Sequence, residues 1–136
     1  MSLEGVPALS ELRYADLTVG DRLGSFDEAL APVSDQLRGA IGTTRAGEHA
    51  PGGVLPLVTL RTLRRALRGI PPGGVLVRQR FTTHAPLPAD ATVRVDVRVS
   101  AQRQTRGGLH STFTFAVHHD DDLAAVVEWT ILAAPE

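Results

Sequence analysis

Glu48 and His49 stand side by side, a carboxylate next to an imidazole, and that adjacency raises the basicity of the ring. Such a pair could take a proton from water or return one to carbon. Neighbours on an extended loop point in different directions, however, so two solvated loop residues are the competing reading. Three residues on, Gly52-Gly53 precedes the apolar run Val54-Leu55-Pro56-Leu57-Val58. Backbone N–H groups at the start of a helix there would sit at its positive end and could polarise a carbonyl oxygen. Further along the run, Arg61, Arg64, Arg65 and Arg68 recur at helical spacing. Their forked donors suit phosphate or carboxylate groups, although a solvated helix face explains the same stripe. His118-His119 followed by Asp120-Asp121-Asp122 offers imidazole and carboxylate ligands to a metal. Successive strand residues diverge to opposite faces, so this segment reads instead as a polar hairpin turn.

Composition removes several chemistries. Cysteine is absent, which excludes disulfides, thiolate nucleophiles and thiolate zinc sites. All 14 basic residues are arginine, so no lysine can form a Schiff base or serve a phosphate-gripping Gly-Lys-Ser/Thr loop. The net charge of −1 and the aromatic content of 4% argue against nucleic acid as a partner. No apolar run reaches the roughly 20 residues that a membrane span requires. The start Met1-Ser2-Leu3-Glu4 lacks the basic and apolar regions of a secretory signal, and the expected location is cytoplasmic. A chain of 136 residues fits one domain with one core. Residues 1–12, with Gly5 and Pro7 and no sustained period, read as a flexible arm, and 13–136 as the domain.

The elements that must position these groups follow from periodicity. A short strand is expected within Val19–Phe26, and a helix over Asp35–Ile41 with Ser34 as its N-cap. Val54–Arg68 is the best helix, with Leu60, Leu63 and Leu67 on one face and the arginines on the other. After Gly73-Gly74 the period changes to two. Val75–His84, a segment from Thr92 to Ala101, Leu109–His118 and Ala124–Leu132 are expected as strands joined by short turns into an antiparallel meander. In the second of these, Val93, Val95, Val97, Val99 and Ala101 are assigned to the buried face. Arg78, Arg80, Arg94 and Arg98 mark the wet face. One apolar sheet face needs a cover, and the Val54 helix is the element long and apolar enough to supply it. The expected class is α+β, an antiparallel sheet wrapped around a central helix.

That order is the order of a hot-dog fold, and three stretches resemble the MaoC-like family of hot-dog proteins, which includes (R)-specific enoyl-CoA hydratases and dehydratases. They are Val19-Gly20-Asp21 before the first strand, Ala50-Pro51-Gly52-Gly53-Val54 opening the central helix, and Arg80-Phe81-Thr82-Thr83-His84-Ala85-Pro86-Leu87-Pro88-Ala89-Asp90 leading into the long strand. Active members of that family carry an Asp-x-Asn-Pro-x-His motif as base and acid. In one register Thr44 falls on the Asp, Ala46 on the Asn, Gly47 on the Pro and His49 on the His. In a second register His49 falls near the histidine-glycine pair that opens the family's central helix. A threonine hydroxyl ionises too weakly to act as a general base near neutral pH.

The resemblance therefore implies an acyl-thioester-binding protein, its thioester carried by coenzyme A or an acyl carrier protein, with the usual Asp/His pair degenerate. Thr44, Glu48 and His49 are the candidate catalytic positions. Gly52, Gly53 and Val54 would meet the thioester, and Arg61, Arg64 and Arg65 the carrier's phosphates. No cofactor and no metal are implied. The family pairs its domains, so a homodimer, or a heterodimer with another hot-dog chain that supplies the acid and base, is expected. Two other readings stay open: a hot-dog thioesterase in which Glu48 activates water, and a non-catalytic ligand-binding or assembly subunit.

Overall fold

The computed structural model describes residues 12–40, 53–69 and 71–134. A 3-10 turn at Tyr14–Asp16 leads into β1 (Arg22–Ala29), α1 (Ala31–Ala40), α2 (Val54–Leu67), β2 (Gly74–Thr83), β3 (Thr92–Thr105), β4 (Gly108–His119) and β5 (Asp122–Ala133). The strands form one five-stranded antiparallel sheet in the order β1-β3-β4-β5-β2. The helix α2 packs on β1, β3 and α1, which gives the hot-dog architecture.

Alternation sets the inner face. Val93, Val95, Val97 and Val99 are 0–2% exposed, and the register aligns Val97 with Phe115 and Val127, and Val99 with Phe113 and Trp129. These rows bury one apolar face against α2 while their neighbours on each strand turn to water. Ala101 departs from the expected pattern and is exposed, because a register shift between Val99 and Ala101 inserts one residue and reverses the phase.

The expected four-stranded meander is a three-stranded one. Only β3, β4 and β5 follow each other by hairpins, while β2 pairs with β5 at the far edge. Pro86-Leu87-Pro88 cannot close a tight hairpin, and residues 84–91 instead cross the end of the sheet. Leu87 and Ala91 are buried on the way, the His84 and Ala85 N–H groups donate to the Ala124 carbonyl, and Ala91 accepts from Leu30.

The first helix begins four residues earlier than its expected start at Asp35. Leu30 accepts the Ser34 N–H, so Ser34 lies inside the first turns rather than capping them, and its buried hydroxyl donates to the Ala89 carbonyl at 3.1 Å. Pro32 fits there because the first turn's N–H groups have no intrahelical acceptor. In α2, Leu63 and Leu67 are buried as expected, Leu60 is half-buried, and Thr59 and Thr62 are enclosed as well. Their hydroxyls reach the core by donating to their own helix, Thr59 to Leu55 O at 2.7 Å and Thr62 to Val58 O at 2.9 Å.

Candidate acyl-binding site

Helix α2 opens at Gly53, whose backbone is already helical and which offers no side-chain cap. The first turn contains no acidic residue of its own, and Pro56 in it carries no N–H. Val54 is 1% exposed, while Leu57 is 37% exposed. Thr44, Glu48, His49 and Gly52 lie outside the described residues.

The arginine stripe divides. Arg61, Arg64 and Arg68 are exposed. Arg65 instead folds back onto β1: its Nη1 lies 2.9 Å from Glu28 Oε1 and 3.0 Å from the Asp27 carbonyl, and its guanidinium carbon is 4.9 Å from the Phe26 ring centroid. The other oxygen of Glu28 lies 3.1 Å from the Thr62 hydroxyl, whose single proton is shared between it and the Val58 carbonyl. Glu28, at 2% exposure, is a buried carboxylate that composition alone hides. Its signal is the alternation Phe26, Glu28, Leu30, which places it on the inward face with two apolar residues.

Two further polar atoms sit unpaired in the apolar layer. The indole Nε1 of Trp129 and the Oη of Tyr14 are buried with no hydrogen-bond partner. Burial raises the Tyr14 phenol above its ordinary range. Trp129 stacks edge-on against Phe115, and Tyr14 against Phe113, so both are held in the inner layer of the sheet.

The His118-His119-Asp120-Asp121-Asp122 segment forms a polar hairpin turn, in which Asp120 and Asp121 take positive φ values of 51° and 67°. The two imidazoles approach different carboxylates, His118 that of Asp96 at 3.3 Å and His119 that of Asp120 at 3.5 Å. No group of three or more metal-ligating side chains occurs among the described residues. Arg78, Arg80, Arg94 and Arg98 are exposed on the sheet's wet face, as alternation predicts. No helix among the described residues is long and apolar enough to cross a membrane.

No family model and no curated protein matches the chain. Solved structures do. An R-hydratase, PhaJ1, from Pseudomonas aeruginosa in its unliganded form is similar with a TM-score of 0.72 at 17% identity, over 94% of this chain and 89% of its own. A MaoC-like dehydratase from Rhodospirillum rubrum gives 0.69 at 16% identity, over 92% and 99%. An (R)-hydratase from A. caviae involved in PHA biosynthesis gives 0.65 at 20% identity, over 86% and 97%. The neighbours of this fold are thus MaoC-like (R)-hydratases and dehydratases, and the likeness spans nearly the whole chain.

Proposed function

We propose that this protein binds acyl thioesters, carried by coenzyme A or an acyl carrier protein, in the slot between α2 and the inner face of the sheet. The observation that carries this reading is the Trp129 indole N–H, buried without a partner in the inner layer of the sheet, together with an opening turn of α2 that has neither a side-chain cap nor an acidic residue. A buried donor without an acceptor costs about 1–3 kcal/mol, and a ligand carbonyl oxygen entering the layer would recover it. In this reading Gly53 and Val54, with Gly52, present backbone N–H groups to the thioester oxygen, as an oxyanion hole requires. Arg61 and Arg64, exposed along the same helix, are free to meet phosphates, whereas Arg65 holds Glu28.

The chain acts as one member of a pair of hot-dog domains. Supporting this, the outer edge strand β2 exposes Val75 (62%), Leu76 (41%), Val77 (48%) and Phe81 (39%) beside unpaired backbone groups. A long apolar edge of this kind is a template for a second strand. The pair is a homodimer or joins another hot-dog chain that carries the acid and base. Favouring binding over catalysis by this chain alone, Glu28 is the sole buried carboxylate among the described residues and is already engaged by Arg65 and Thr62. If Thr44, Glu48 or His49 retain chemistry, the reaction is hydration of an enoyl thioester or hydrolysis of the thioester by water activated at Glu48.

Crotonyl-CoA hydration and acyl-CoA hydrolysis, measured with the purified chain and with Glu48→Ala and His49→Ala, separate these outcomes. Ligand retention without turnover supports the binding role. Turnover lost in either variant assigns the chemistry to this chain, and absence of both turnover and ligand retention contradicts the reading.

A further inference from the structure

The outer face of the sheet, turned away from α2, holds a cavity of about 490 Å³ whose two rims differ in chemistry. Arg22 of β1 and Arg98 of β3 are directly opposed in the register and both line it. Both are exposed, and neither has an ion-pair partner among the described residues. Like charges placed opposite each other on neighbouring strands are destabilising unless something answers them. The carboxylate in the cavity, Asp96, is committed elsewhere: it accepts from the Ser25 hydroxyl and pairs with Arg94 at 3.6 Å and His118 at 3.3 Å.

The other part of the lining is apolar, which is unusual for the wet face of this sheet. Ala116 and Val126 are directly opposed across β4 and β5, and Leu123 beside them is 40% exposed. Elsewhere the same face carries Thr112, Thr130, Glu128, Arg78 and Arg80, and within the cavity Thr114 and His118 complete the lining. A cation pair at one end and a hydrocarbon floor at the other match an amphiphile, and the volume falls within the range that holds small ligands.

We propose that this cavity is a second ligand site, in which Arg22 and Arg98 grip the carboxylate of an aliphatic acid whose hydrocarbon body lies on Ala116, Leu123 and Val126. Arginine's fork meets a carboxylate with paired hydrogen bonds, and an anion between the two guanidiniums removes their repulsion. The site lies on the opposite side of the sheet from the acyl-thioester slot and stands independently of that reading.

The test is a titration of the isotope-labelled full chain with octanoate and, separately, with inorganic phosphate, followed by amide NMR shifts. The expected result is a saturable octanoate response confined to residues 22, 96–98, 114–118 and 123–126. Binding should weaken about tenfold or more in Arg22→Gln and in Arg98→Gln, keep its strength in Arg103→Gln, and exceed that of phosphate by a similar factor. The exposed arginines make both variants foldable, and dispersed spectra confirm it. No saturable response, a response confined to α2 and the inner face, equal binding of phosphate, or indifference to both arginine variants would overturn the proposal.

Discussion

Glu28 Oε1 and Arg65 Nη1 lie 2.9 Å apart, with the carboxylate side chain 2% exposed and the arginine 50% exposed, so the central helix is tied to β1 by a pair that is dry at one end only. Removing the arginine leaves the buried carboxylate with the Thr62 hydroxyl alone beside it, a proton it shares with the Val58 carbonyl. Arg65→Ala should destabilise the protein by about 1–3 kcal/mol, less than for a fully buried pair because water already reaches the guanidinium. Glu28→Leu with Arg65→Ala should cost less than Arg65→Ala alone. Urea unfolding of Arg65→Ala, Glu28→Leu and the double variant checks this, and additive losses would contradict it.

Gly74 is pressed between two side chains. A Cβ there would meet Ile131 Cγ2 and Tyr14 Oη, each at 2.8 Å. Gly74→Ala should therefore lower stability by about 1–3 kcal/mol through overpacking. Combining it with Tyr14→Phe, which removes the hydroxyl but keeps Ile131 Cγ2 and the ring Cε2 at 2.9 Å, should recover part of the loss in thermal denaturation.

Tyr14 also makes stability depend on pH. Its phenol is raised by burial, so the folded state holds the proton more tightly than the unfolded chain. The resulting contribution is fully present below the unfolded value of 10.0 and disappears as pH rises through the higher folded value. Tyr14→Phe should be near neutral at pH 7, because the hydroxyl has no partner to lose, and should be more stable than the wild type above pH 10. Parallel unfolding curves at the two pH values decide it.

The β2 edge predicts assembly. Val77→Lys places a charge on the exposed apolar edge and should shift the chain from a paired to a monomeric species in sedimentation equilibrium, with little loss of secondary structure. A wild-type chain that sediments as a monomer at micromolar concentration would count against pairing with itself, leaving a different hot-dog chain as partner.

Much of the architecture was legible from period alone. The valines of β3 alternate without interruption from Val93 to Val99, and burial follows them residue by residue. The pattern fails at Ala101 because a bulge depends on the partner strand, which alternation within one strand does not see. The same blindness explains β2: its own sequence reads as a strand, but whether it lies beside β3 or β5 is a non-local choice, made by the proline-bound crossing at residues 84–91. Ser34 satisfied every local rule for a cap, yet Pro32 starts the helix earlier. Glu28 was available from alternation but runs against the expectation that a carboxylate faces water. Of the expected site, Gly53 caps α2, Val54, Arg61, Arg64 and Arg65 lie on it, and Arg65 leaves the stripe because Glu28 reaches it from β1. Thr44, Glu48, His49 and Gly52 fall outside the described residues.

Trp129 is the single tryptophan of the chain, and it is 6% exposed in the layer that the thioester would enter. Its emission, followed while a medium-chain acyl-CoA is titrated into the purified protein, tests the central claim most directly. A saturable change in intensity or wavelength, weakened by a bulky substitution such as Gly53→Val, is the predicted result. Emission unchanged up to about 1 mM ligand, together with no retention of acyl-CoA in equilibrium dialysis, would contradict the account.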